Sequence, residues 1–186
     1  MTAETWSITV SFVAMLFIAV SYFVKSKGGY LLFQAFGMLF LMASYLLCGE
    51  YFAMIGLGVG LLRALVFFAY EKRNKTAPLV WSFVFAGMTV GVYLTVNICI
   101  LQKTDIRDTV YLVSLVLYAF VFRIRDVETM RYAVTIPTSL AVLYNVLCRA
   151  TTFVILSYTF ELGANILSIL KNHVFTKTKE AQGERI

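Results

Sequence analysis

Charge is the scarcest resource in this chain. Only 14% of its 186 residues are Asp, Glu, Lys or Arg, against 60% hydrophobic. A soluble domain of this size cannot cover its surface with so few charges, so an extramembrane module is excluded. Cysteine is limited to Cys48, Cys99 and Cys148, with no CxxC pair and an odd total, so the spacing gives no metal or redox framework. They are expected to be small buried apolar residues. The single histidine, His173, lies in the tail beyond the last apolar run, where it is expected to be solvated. No HExxH, GxSxG or phosphate loop occurs, and no apolar run holds a histidine or paired carboxylates for acid–base work. The chain is therefore not expected to be an enzyme or to carry a metal or other cofactor. Met1–Trp6 has no basic cluster and no small-residue cleavage pattern, so the first apolar run is expected to stay in the mature protein. The net charge of +6 comes from bases in short loops and a tail. Orientation and lipid contact explain them better than nucleic acid.

What is present is apolar sequence in long runs. At about 20 residues per span, the chain has room for about six or seven membrane helices. The runs are 7–24, 30–48, 51–70, 79–101, 109–122, 132–148 and 151–170. The breaks between them are short: Gly49-Glu50 and Arg149-Ala150 are tight hairpins, while 25–29, 71–75, 102–108 and 123–131 are charged loops. The fifth run has only 14 uncharged residues and must tilt, thin the bilayer or borrow Arg107 and Arg123 as snorkelling ends. Pro78 opens the fourth run, where its missing N–H costs little, whereas Pro137 lies inside the sixth and is expected to free a carbonyl there. Trp6 and Trp81 flank span starts and read as interface anchors.

Loop charge orients these spans. Twelve bases (Lys25, Lys27, Lys72, Arg73, Lys75, Arg123, Arg125, Arg131, Lys171, Lys177, Lys179, Arg185) fall on one side, against Lys103, Arg107 and Arg149 on the other. That bias places the C-terminus in the cytoplasm and the N-terminus outside, with seven spans. Spans five to seven repeat the layout of spans one to three at an offset of 100 residues: Lys25 falls on Arg125 and Cys48 on Cys148. The expected fold is an all-α membrane protein of two parallel triple-helix bundles, 7–77 and 109–171, joined by an inverting fourth helix within 78–108. Residues 1–171 form one polytopic domain, and 172–186 a basic tail.

Two charges fall inside apolar runs: Arg63 in the third span and Glu161 in the seventh, about nine helical residues from Leu170. Charges at such depth are costly unless paired or hydrated, and are a functional-site hypothesis by default. Three readings stay open: a solute gate, an ion pair that only locks the bundles, or an arginine that snorkels and leaves Glu161 to be protonated. Asn165, at i+4 from Glu161, shares its face. Tyr144 and Asn145 in span six, Asn97 in span four, and Gln34 and Tyr45 in span two are further polar groups, read first as interhelical hydrogen bonds. Asn145 is the best placed of these for a vestibule. Gly56 and Gly60, in GxxxG spacing with Gly58 between, are read as a packing face.

Arg63, the Tyr144-Asn145 pair, and Glu161 with Asn165, in a three-plus-one-plus-three layout, resemble the YgjV-type bacterial inner membrane proteins and, more broadly, the SWEET and PQ-loop transporters. The resemblance covers nearly the whole chain. It implies a central solute path between two bundles in the bacterial inner membrane, with Asn165 in the role of a site asparagine. The third helix offers Arg63 in place of an asparagine, and the Pro-Gln hinge of spans one and five is absent, with Pro137 in span six instead. An arginine and a glutamate in place of paired asparagines favour a charged or zwitterionic solute over a neutral sugar. The partners implied are the lipid bilayer, a small-molecule solute and a second copy of the chain as a homo-oligomer. The rival reading is a non-transporting structural or accessory membrane protein.

Overall fold

The computed structural model describes residues 3–48, 51–96, 106–147 and 152–181. They form seven helices: α1 Ala3–Ser21, α2 Lys27–Cys48, α3 Tyr51–Lys72, α4 Leu79–Leu94, α5 Ile106–Val121, α6 Val127–Leu147 and α7 Thr152–Ala181. No strand occurs among the described residues. Asn97, Cys99 and the Arg149-Ala150 break lie outside them, as does Gly49-Glu50. The expected runs reappear with shifted ends: α5 starts earlier, at Ile106, and α7 continues through the basic tail to Ala181. Among the described residues, Lys27–Leu47 and Met54–Lys72 are long and apolar enough to cross a bilayer, while Trp6–Ser21, Leu79–Leu94 and Thr109–Val121 are apolar but shorter.

The distribution of polarity is reversed from that of a water-soluble protein. Ser7, Ser11, Gln34, Ser44, Thr138 and Asn145 are buried, while Val80, Phe83, Ile136 and Leu167 are each about 60% exposed or more. Side chains that cannot find water find each other. Ser7 and Ser11 of α1 share the Ser44 hydroxyl of α2 at 2.7 and 2.6 Å. Between α5 and α6, Tyr118 meets Thr138 at 2.6 Å and Ser114 donates to the Pro137 carbonyl at 2.7 Å. In a medium without competing water such bonds are the glue between helices.

Helix α1 packs on α2 and α2 on α3; α5 packs on α6 and α6 on α7. Helix α4 touches both α3 and α5, and α1 touches α7. The links α1–α2 and α5–α6 have the same construction at the offset of 100. Backbone N–H groups of Phe23 and Val24 donate to Val20 and Ser21, as those of Arg123 and Ile124 do to Phe120 and Val121. Ser26 Oγ then accepts from the Gly29 N–H at 3.2 Å, and Asp126 Oδ2 from the Thr129 N–H at 2.7 Å. Both are N-cap bonds that satisfy a donor the helix start would leave free. The Thr129 hydroxyl and N–H hold the exposed Asp126 carboxyl below its ordinary range. Its contribution is therefore present above the usual carboxylate pKa and is lost as pH falls through the lowered one.

Helix contacts also sort the glycines. A Cβ on Gly60 would lie 3.2 Å from Met38 Sδ, whereas one on Gly56 would meet nothing within 4 Å among the described residues. Of the two glycines in GxxxG spacing, Gly60 is thus the one set tightly against α2. A much closer approach between two helices is at Gly37 of α2, where a Cβ would lie 2.5 Å from Ile18 Cγ1 and 3.2 Å from the Ala14 carbonyl oxygen of α1. Pro137 is fully buried in a helix that runs on without a break, consistent with a packing role. Gly37→Ala and Gly56→Ala gain the same helix propensity, so their difference isolates packing. Gly37→Ala should be less stable than Gly56→Ala by about 1–3 kcal/mol in detergent unfolding. Equal stabilities would refute the close approach of α1 and α2.

Candidate functional site

Arg63 and Glu161 are both drawn into the centre of the molecule, but they do not bridge. The one ion pair within 4.0 Å among the described residues is Lys27–Glu71, at 3.6 Å. Arg63 on α3 is only 4% exposed, so it does not snorkel to an interface. Its Nη1 donates to the Leu115 carbonyl of α5 at 3.2 Å. Its guanidinium carbon lies 5.0 Å from the Phe122 ring centroid and 5.5 Å from that of Tyr118. Ring faces stabilise a desolvated cation without neutralising it. The Arg63 Nε–H has no partner among the described residues.

Glu161 on α7 is held from the other side. Its Oε1 accepts from the Tyr22 hydroxyl at 2.7 Å. Between acid and base runs a layer of rings: Tyr22 meets Tyr30 edge-on at 5.4 Å, Tyr30 meets Phe122 edge-on at 6.0 Å, and Phe122 meets Tyr118 at 5.8 Å. The sequence points to Arg63 as the partner of Glu161; the structure gives it Tyr22 instead, with the arginine on the other side of the rings. Tyr22 and Phe122 occupy equivalent places in the two matched links. The first reaches the acid on α7, and the second lies under the base on α3.

Asn165 faces α6 as well as lying one turn from Glu161. It is fully buried, and its Nδ2 donates to the Arg131 carbonyl and to Thr135 Oγ1, both at 3.0 Å. Its Oδ1 has no partner among the described residues. Asn145 is buried and donates to the Ala141 carbonyl of its own helix at 2.7 Å, a local bond. Tyr144 stacks on Tyr111 at 4.8 Å, and the Tyr111 hydroxyl meets that of Tyr158 at 3.3 Å. Tyr144 therefore belongs to an aromatic cluster of α5, α6 and α7. Gln34 makes the interhelical bond expected of it, to Ser21 Oγ at 3.1 Å.

Four residues of this centre carry no flag in the sequence beyond their type: Tyr22, Tyr30, Tyr118 and Ser168. Ser168 donates to the Tyr22 carbonyl, and Arg131 Nη2 donates to the Val24 carbonyl. Arg131, counted among the loop bases, is instead a buried member of α6, 3% exposed. The repeat was the available signal for Tyr22, since it places this residue opposite Phe122. Nothing in composition separates the tyrosines that touch charge from those that fill space.

Among the described residues no three His, Cys, Asp or Glu side chains converge as metal ligands would. A cleft of about 140 Å³ opens elsewhere, between the start of α6 and the later turns of α7, with Arg131 and His173 in its wall. His173 is exposed, as expected, but borders this cleft.

No curated protein and no solved structure matches this chain. Residues 5–175 match a family model described as bacterial inner membrane protein, Imp-YgjV, and the chain belongs to that family.

Proposed function

We infer that this inner membrane protein moves a small charged or zwitterionic solute along a path between two three-helix bundles. The observation that carries the reading is the separation of Arg63 from Glu161. Arg63 is buried and Glu161 half-buried, each is held by neutral partners (a carbonyl and ring faces, or a phenol), and the two do not bridge. A zwitterion offers what each lacks: a carboxylate for the unused Arg63 Nε–H, and an ammonium for Glu161. Asn165 Oδ1, one turn from Glu161, adds a free acceptor on the same helix. Tyr144 and Asn145, engaged with their own neighbours, serve as wall rather than ligand in this reading.

The matched links at the offset of 100 support a parallel three-plus-one-plus-three arrangement, with α4 as the inverting helix. They also support kinship with the SWEET and PQ-loop transporters. In this reading the N-terminus is outside and the C-terminus cytoplasmic, as loop charge directs. The bundles are 7–77 and 109–171, and 78–108 is the linker. The second reading, a purely structural protein, draws on the fact that Arg63 and Tyr22 each bond across the halves. A charge held by a neutral partner is an expensive lock, because an apolar pair of the same shape would serve better.

Uptake into proteoliposomes distinguishes the two. A panel of small zwitterions, with neutral sugars as controls, should show accumulation of at least one zwitterion and no sugar. Arg63→Met and Glu161→Gln should each reduce that uptake by about 100-fold or more, as expected when a desolvated charge loses its counter-charge. Both variants should stay folded by circular dichroism. Folded variants with unchanged uptake, or a wild type that moves nothing in the panel, would leave the structural reading standing.

Tyr22→Phe removes only the hydroxyl that faces Glu161. It should destabilise the protein by about 1–3 kcal/mol, the cost of an unsatisfied buried acceptor. Phe17→Leu, at a ring that stacks on Phe40 and bonds to no charge, should leave uptake unchanged. The contrast is read as uptake per folded molecule: Tyr22→Phe should lower it and Phe17→Leu should not. An equal effect would remove Tyr22 from the path.

A further inference from the structure

The cleft between α6 and α7 is lined by neither Arg63 nor Glu161 and has its own chemistry. Its walls are Glu128, Arg131, Tyr132, Ile169, Asn172 and His173. Its volume of about 140 Å³ is roughly ten times what one water requires. Two features show that its polar groups are not spent on each other. Arg131 is 97% buried (3% exposed), and its Nε–H has no partner although Nη2 is anchored on the Val24 carbonyl. Glu128, one turn away on the same helix, does not bridge it, since Lys27–Glu71 is the ion pair found among the described residues. An i,i+3 acid and base that stay apart across a cleft are open to a ligand with both signs.

Position narrows the ligand further. The cleft lies at the charged ends of the helices, beside the 123–126 link and the turns of α7 that carry Lys171. One turn toward the middle of each helix the surface becomes apolar: Tyr132 and Ile136 on α6 are 55% and 61% exposed, and Ile166 on α7 is 42% exposed. A molecule seated here has a polar part among Arg131, Glu128 and His173 and an apolar part along Ile136 and Ile166. A free anion would meet the Glu128 carboxylate, and a free cation the Arg131 guanidinium. We propose that this cleft is a specific site for the headgroup of a zwitterionic phospholipid. Its phosphate sits on Arg131 and His173, its ammonium on Glu128, and its acyl chains lie against α6 and α7. Guanidinium–phosphate contact in a partly dry site is the strong component, and the carboxylate provides the choice of headgroup.

The test is lipid retention by the full chain, purified from mixed micelles with equal ethanolamine and glycerol phospholipids and read by native mass spectrometry. Wild type should keep the ethanolamine lipid over the glycerol lipid by about fivefold or more, the size expected of one charge-assisted contact. Glu128→Gln, a change at an exposed residue, should keep a bound phospholipid but lose that preference. Arg131→Gln should retain neither lipid. If Arg131→Gln does not fold, His173→Ala supplies the phosphate arm, with weaker retention of both lipids. Equal retention of the two headgroups by wild type, or an unchanged preference in Glu128→Gln, overturns the proposal. Displacement of the lipid by soluble phosphoethanolamine at matched concentration also overturns it, because the cleft would then serve a water-borne phosphoester.

Discussion

A link between helices has carbonyls with no helical partner of their own, and the architecture turns on the 22–24 segment that follows α1. Helix α1 stops at Ser21, and the carbonyls of Tyr22 and Val24 are taken by Ser168 of α7 and Arg131 of α6. Those two bonds join the first helix to the last two, across more than 100 residues of chain. They also fix Tyr22 where its hydroxyl reaches Glu161. In water such bonds would exchange freely; in hydrocarbon, leaving one unmade costs several kcal/mol. The polar centre is thus assembled around the carbonyls of the link after α1, and Tyr22 of that link meets the acid of α7.

The second half meets the same problem with a different residue set. Phe122 stands where Tyr22 stands, has no hydroxyl to offer, and lies under the guanidinium of Arg63. A phenol suits a carboxylate and a ring face suits a cation, so one exchange between the halves converts an acid site into a base site. Tyr30, fully buried between Tyr22 and Phe122, keeps the two apart. Two nearly identical links that differ at this position thus set a phenol against an acid in one half and a ring face against a base in the other.

Much of the frame was legible because apolar runs and tight breaks report helices directly. The offset of 100 was visible at Lys25 and Arg125, and the matched cap bonds at Ser26 and Asp126 give it a structural basis. Side-chain partners were harder to read. Arg131 looks like a loop base because it sits beside charged neighbours, yet the α6 N-terminus carries it into the interior. Gly56 and Gly60 share a spacing, but only the second faces another helix closely, and Gly37 closer still has no motif to announce it. Glu161 and Arg63 were visible as a pair of outliers. That an aromatic layer holds them apart depends on rotamers and helix rotation that a linear pattern does not contain.

The central claim is that the buried Arg63 and the half-buried Glu161 are energetically independent in the empty protein. A double-mutant cycle on unfolding free energy, with Arg63→Met and Glu161→Gln in detergent without solute, measures this directly. The account predicts that the two effects add to within about 0.5 kcal/mol, as for sites that share no contact. A coupling of about 3–5 kcal/mol, the scale of a broken buried bridge, would contradict it.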